Sequence, residues 1–69
     1  MKLSARNQLK GKVVSIDEGK VNDIVKIDVG NGNIISATIS VAAVKDLGLA
    51  VGSDATAVIK ATSVMVMVD

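Results

Sequence analysis

Apolar and polar residues alternate with a period of two along most of this chain. From Leu9 to Ile16, in LKGKVVSI, Leu9, Gly11 and Val13 share one face and Lys10, Lys12 and Val14 the other, which predicts a strand. Asp17-Glu18-Gly19-Lys20 has the chemistry of a turn. Val21 to Val29 then sets Val21, Val25, Ile27 and Val29 on a dry face and Asn22, Lys26 and Asp28 on a wet one, a second strand hairpinned to the first. Gly30-Asn31-Gly32-Asn33 reads as a tight loop, and Ile34 to Ile39 resumes the alternation with Ile35, Ala37 and Ile39 facing together.

The period changes after Ser40. In VAAVKDLG, Val41, Val44 and Leu47 recur at helical spacing, Ser40 stands at the N-cap position, and Gly48 stands where a left-handed stop is wanted. Gly52-Ser53-Asp54 turns the chain into a fourth strand, Ala55 to Lys60, and Val64 to Val68 supplies a fifth. The predicted order β-β-β-α-β-β is that of an all-β, five-stranded OB-fold-type Greek-key barrel with one short helix between strands 3 and 4. A single domain over residues 1–69 is expected, since a chain this short cannot be divided into two useful cores. Met1 to Gln8 has no evident place in the barrel.

Composition adds a demand for partners. Of the 69 residues 49% are apolar, mean hydropathy is +0.49, and Phe, Tyr, Trp, Pro, Cys and His are absent. Small domains are commonly stabilised by disulfides, a structural metal or oligomerisation, and without Cys or His the first two are not available. A homo-oligomer is therefore expected. No apolar run reaches the ~18 residues needed to cross a bilayer, and Met1 to Leu3 begins no secretory leader, so an intracellular, cytoplasmic chain without membrane contact is expected.

The chemical inventory is poor for catalysis and rich in anion donors. No thiol or imidazole is present, and Asp17, Glu18, Asp23, Asp28, Asp46 and Asp54 fall in turns or at positions read as surface, so no enzyme is expected. Nucleic-acid binding on an OB barrel uses aromatic platforms and a basic groove; the aromatics are missing, and Lys10 with Lys12 forms only a short basic stripe. The GNGN stretch lacks the Lys-Ser/Thr and the spacing of a phosphate loop and reads as a hairpin turn. Two clusters exceed what a barrel requires: Ser4-Ala5-Arg6-Asn7-Gln8 and Lys60-Ala61-Thr62-Ser63. Each combines a cation, hydroxyl and backbone N–H donors, although a frayed terminus and a polar connection are the plainer readings. The helix start at Ser40 and Val41 is a third candidate, with simple N-capping as its alternative.

At these clusters the chain resembles a known family. SARNQLKGKV near one end, NGNIISATIS before the helix and TAVIKATSVMV near the other are similar to the molbindins, the small molybdenum-pterin-binding proteins, along essentially the whole chain. The resemblance implies a hexamer, a trimer of dimers, holding molybdate or tungstate between subunits for storage or homeostasis. It places Ser4, Ala5 and Arg6 against Lys60, Ala61 and Ser63 of a neighbouring chain, with Ser40 and Val41 lining a second kind of site. No organic cofactor is expected, since a pterin ring calls for stacking partners that the sequence lacks. A ligand-free oligomerisation module and a nucleic-acid-binding OB module are the alternatives.

Overall fold

The computed structural model describes Met1–Asp69 as a curled antiparallel sheet with one short helix. Its strands are β1 (Asn7–Asp17), β2 (Asn22–Asp28), β3 (Ile34–Ser40) and β4 (Asp54–Ile59), in the order β3-β2-β1-β4. Helix α1 (Val41–Asp46) follows β3, and a 3-10 turn (Ala61–Ser63) follows β4. The predicted β1 to β4 and the helix lie where the alternation placed them. Gly30, Asn31 and Gly32 take φ of 112°, 53° and 77°, the left-handed backbone of the β2–β3 turn.

Strand β1 is the hinge of the sheet, pairing with β2 along its later half and with β4 along its earlier half. A bulge falls between Val13 and Ser15. It shifts the phase of the strand, so that Val13 before it and Ile16 after it both pack toward the core while Val14 points outward. The bulge also leaves the buried Ser15 hydroxyl without a hydrogen-bond partner.

The enclosed core is small, consisting of Val13, Val25, Ile27, Val44 and Ala57, with Ile16, Val29, Ile35, Ile39, Leu49 and Ala55 packed around it. Only 6 of 69 residues are buried. The exposed area of 5594 Å² is well above the ~4,000 Å² that size scaling gives for a compact monomer of this mass.

Three sequence expectations change. Val64–Val68 does not form the fifth strand: beyond the 3-10 turn the segment pairs with nothing, and its residues are 48–93% exposed. Its composition suits a strand, but within one chain no strand edge lies alongside it. Val21 is 74% exposed, because it precedes β2 in the turn. Asp23, read as a surface carboxylate, is 3% exposed. It shares the phase of Val25 and Ile27, and its Oδ1 accepts the Gly19 N–H at 2.9 Å across the β1–β2 turn. The spacing 21-23-25-27 already carried that signal.

Candidate anion site

The pairing of β1 with β4 decides what the chain ends meet. The ladder runs from Lys12 opposite Asp54 to Asn7 opposite Ile59, so the residues preceding β1 emerge beside those following β4. The Asn7 side-chain amide donates to the Ile59 carbonyl at 3.3 Å, and the Gln8 amide donates to the Ala5 carbonyl at 2.7 Å. These bonds position Ser4-Ala5-Arg6 against the start of the 3-10 turn. Ser4, Ala5, Arg6, Lys60, Ala61 and Thr62 line one open concavity of about 430 Å³.

Two clusters 52 or more positions apart in sequence thus converge within a single chain. The resemblance had joined them across a subunit boundary; the β1–β4 ladder already brings them together. Thr62 lines the concavity where Ser63 had been expected. The Ser63 N–H closes the 3-10 turn on the Lys60 carbonyl at 2.9 Å, and the Val64 N–H reaches the Ala61 carbonyl at 3.3 Å. As at any helix start, the Ala61 and Thr62 N–H groups have no acceptor within the turn.

The electrostatics of the concavity are one-sided. The single salt bridge in the chain joins Lys12 to Asp54, so neither Arg6 nor Lys60 has a carboxylate within ion-pair distance. No Asp or Glu lines the concavity. One guanidinium (Arg6), one ammonium (Lys60), the hydroxyls of Ser4 and Thr62 and the turn N–H groups make a set dominated by donors. Apart from half-buried Ala5, every lining residue is exposed. One chain therefore supplies a single wall, and water screens its charges until something covers it.

The other candidates lie apart from this concavity. The Ser40 hydroxyl accepts the Ala43 N–H at 3.0 Å, and the Val41 N–H donates to the Val21 carbonyl at 3.0 Å, so these groups of the helix start cap α1 and tie it to the turn before β2. Lys12 is held by Asp54, which leaves Lys10 as the remainder of the basic stripe. The Lys12 hydrogen bond, followed by its charge, holds the Asp54 carboxyl below its ordinary range. Nowhere do three or more potential metal ligands cluster, and no helix is long and apolar enough to cross a membrane.

Comparisons with known proteins converge on one group. The TOBE domain matches residues 3–66. A probable molybdenum-pterin-binding protein of Haemophilus influenzae is 68% identical over 69 residues, the whole of both chains. Among solved structures, MopII from Clostridium pasteurianum superposes with a TM-score of 0.90 at 45% identity, covering 97% of this chain and 100% of that one. A molybdate-binding protein from Sporomusa ovata also gives 0.90, at 37% identity, covering 97% and 98%.

Proposed function

The chain belongs to the TOBE-domain family, among the molybdenum-pterin-binding proteins, and we propose that it binds molybdate between Ser4-Ala5-Arg6 and Lys60-Ala61-Thr62. The observation that carries the reading is the convergence of Arg6 and Lys60, both without carboxylate partners, on one concavity without acceptor carboxylates. Molybdate near neutral pH is a tetrahedral dianion with no proton to donate, so a site made of donors suits it. Hydrogen phosphate brings a proton that finds only hydroxyl acceptors there. Ser63 sits one residue from the lining, within reach of a small rearrangement of the 3-10 turn. The helix start at Ser40 and Val41 is left outside the proposed site, because it does not line this concavity and no cation stands with it.

Relatives carry pterin in their names, yet stacking a pterin requires a flat apolar partner, and this chain has no aromatic residue. The bare oxyanion is the better match. The chain works as a binding protein, holding molybdate or tungstate in the cytoplasm for storage or homeostasis. A homo-oligomer, a hexamer built as a trimer of dimers, covers the open wall of each site. The surplus of exposed area and the five-residue core support that step.

Calorimetric titration tests the reading. Molybdate should bind the unaltered protein, and Lys60→Ala should weaken it by about 10- to 100-fold, the range for a hydrogen bond to a charged group. Tungstate should displace molybdate at similar concentration and sulfate only at much higher concentration. Absence of heat with every oxyanion would leave a ligand-free oligomerisation module.

A further inference from the structure

The β2–β3 turn carries a reactive pair of residues that the fold leaves open. Asparagine occurs at Asn7, Asn22, Asn31 and Asn33, followed in turn by Gln8, Asp23, Gly32 and Ile34. The backbone nitrogen of the following residue can attack an asparagine side-chain carbonyl and close a five-membered ring. A side chain on that following residue obstructs the approach, and glycine has none. Asn31 alone meets the condition.

Its surroundings remove the other obstacles. Asn31 and Gly32 are the two central residues of a type I′ turn, closed by the Asn33 N–H donating to the Gly30 carbonyl at 2.9 Å. Every residue from Gly30 to Ile34 is exposed. Nothing stands within 4 Å of where a Cβ on Gly30 or Gly32 would lie, so water and hydroxide reach the turn freely. The Gly32 N–H donates to no protein acceptor, so its nitrogen is available as it stands. Ring closure needs rotation between Asn31 and Gly32, which opens the Asn33–Gly30 bond at the tip of the hairpin. Such tips are among the first parts of a fold to open. The other asparagines are better held. The Asn7 amide donates to the Ile59 carbonyl at 3.3 Å within the β1–β4 ladder, and Asn22 is paired opposite Ser40. The nitrogen facing Asn33 belongs to Ile34, a β-branched residue paired opposite Asp28.

We propose that Asn31-Gly32 is a site of spontaneous deamidation, a modification that owes nothing to the oxyanion. The Gly32 nitrogen gives its proton to hydroxide and bonds to the Asn31 Cγ. The bond from Cγ to the amide nitrogen breaks, and ammonia leaves with a proton returned by water. Water then opens the cyclic imide at the side-chain carbonyl to give isoaspartate's isomer, plain aspartate, or at the main-chain carbonyl to give isoaspartate. The net change is water taken up and ammonia released, with nothing oxidised or reduced. Both products add a carboxylate, so eight acidic residues face eight basic ones and the formal charge of +1 falls to zero. Charge repulsion between copies is lost with it. Isoaspartate also inserts a methylene into the main chain of a two-residue turn, directly beyond the Asp28–Ile34 pair that ends the β2–β3 ladder.

The test holds the unaltered protein at mildly alkaline pH in heavy-oxygen water and maps its peptides by mass. Asn31 should convert ahead of Asn7, Asn22 and Asn33, take up heavy oxygen, and convert faster as pH rises, because the attacking nitrogen must lose its proton. Against a free peptide of residues 28–35, the folded chain should be slower by less than about 100-fold, the most that opening a hairpin tip costs. Asn31→Gly, which suits the φ of 53° at that position, should abolish the acidic form that isoelectric focusing separates. Slowing beyond that margin, earlier conversion at another asparagine, or an acidic form that persists in Asn31→Gly would overturn the proposal.

Discussion

Val13 and Val25 are 1% exposed, while Val66 and Val68 are 89% and 88% exposed, although all four are the same residue in one short chain. Residue type does not distinguish them; pattern and neighbours do. Val13 and Val25 stand in alternating strands whose backbones are paired on both sides, with Ile27, Val44 and Ala57 filling the space around them. Val66 and Val68 stand in an unbroken apolar run with no strand edge beside it in the same chain. An alternating stretch is complete once one face is covered, and a continuous one is not. The core is therefore covered by its own chain's strands, and the tail is an apolar run that its own chain leaves uncovered.

Substitution should separate the two regions sharply. Ile27→Ala, at a position 6% exposed in a core of five residues, should destabilise the protein by about 2 to 5 kcal/mol, enough to unfold a large fraction of a marginal domain. Val66→Ala should change the stability of the dissociated chain by less than about 0.5 kcal/mol, as for a surface position. It should instead lower the protein concentration dependence of melting. Denaturant titration at several protein concentrations reads both. Equal losses from the two variants at every concentration would mean that core and tail are one cooperative unit within the chain.

A backbone contact beneath the core should rank next. A Cβ placed on Gly11 would lie 2.2 Å from the Asp28 carbonyl oxygen, backbone that cannot swing aside as a side chain would. Gly11→Ala should therefore cost about 1 to 3 kcal/mol through overpacking, with the amide resonances around Asp28 shifting most. Smaller again, Ser40→Ala removes the acceptor for the Ala43 N–H and should cost about 1 kcal/mol, leaving the strands unchanged by circular dichroism.

Much of this was legible in the sequence, and the reasons are local. Period-two alternation located β1 to β3, and the Ser40 cap with Gly48 bounded the helix, because those signals act within a few residues. Asp23 was missed by reading its charge rather than its phase. The tail was read as a fifth strand from its β-branched composition, but it stays unpaired within the chain, because composition does not supply a strand edge for it to pair with. At the site, the two donor clusters were visible as composition. Their meeting in one chain depends on the β1–β4 register, a long-range pairing that no local pattern encodes, and Thr62 in the 3-10 turn that follows β4 lines the concavity.

The smallest predicted effect concerns the two ends of that same β1–β4 ladder. At one end Lys12 is paired with Asp54; at the other Arg6 and Lys60 stand unpaired. The paired end should matter little to stability, because both side chains are largely exposed, at 64% and 86%, and exposed pairs are screened. It should still be visible in titration. The Lys12 hydrogen bond and charge hold the Asp54 pKa below its ordinary 3.8. A carboxyl whose pKa is depressed by folding contributes stability above its unfolded pKa and loses it as pH falls through the lower, folded value. Lys12→Met should therefore raise the Asp54 midpoint back toward 3.8 in a carboxyl NMR titration. It should reduce stability slightly near neutral pH and bring the two proteins together in strong acid. Molybdate affinity should stay as it was, since Lys12 lies at the far end of the ladder from the proposed site. A loss of affinity in Lys12→Met as large as that in Lys60→Ala would mean that the oxyanion reads the positive charge of the whole strand pair, and the contrast between its paired and unpaired ends would fail.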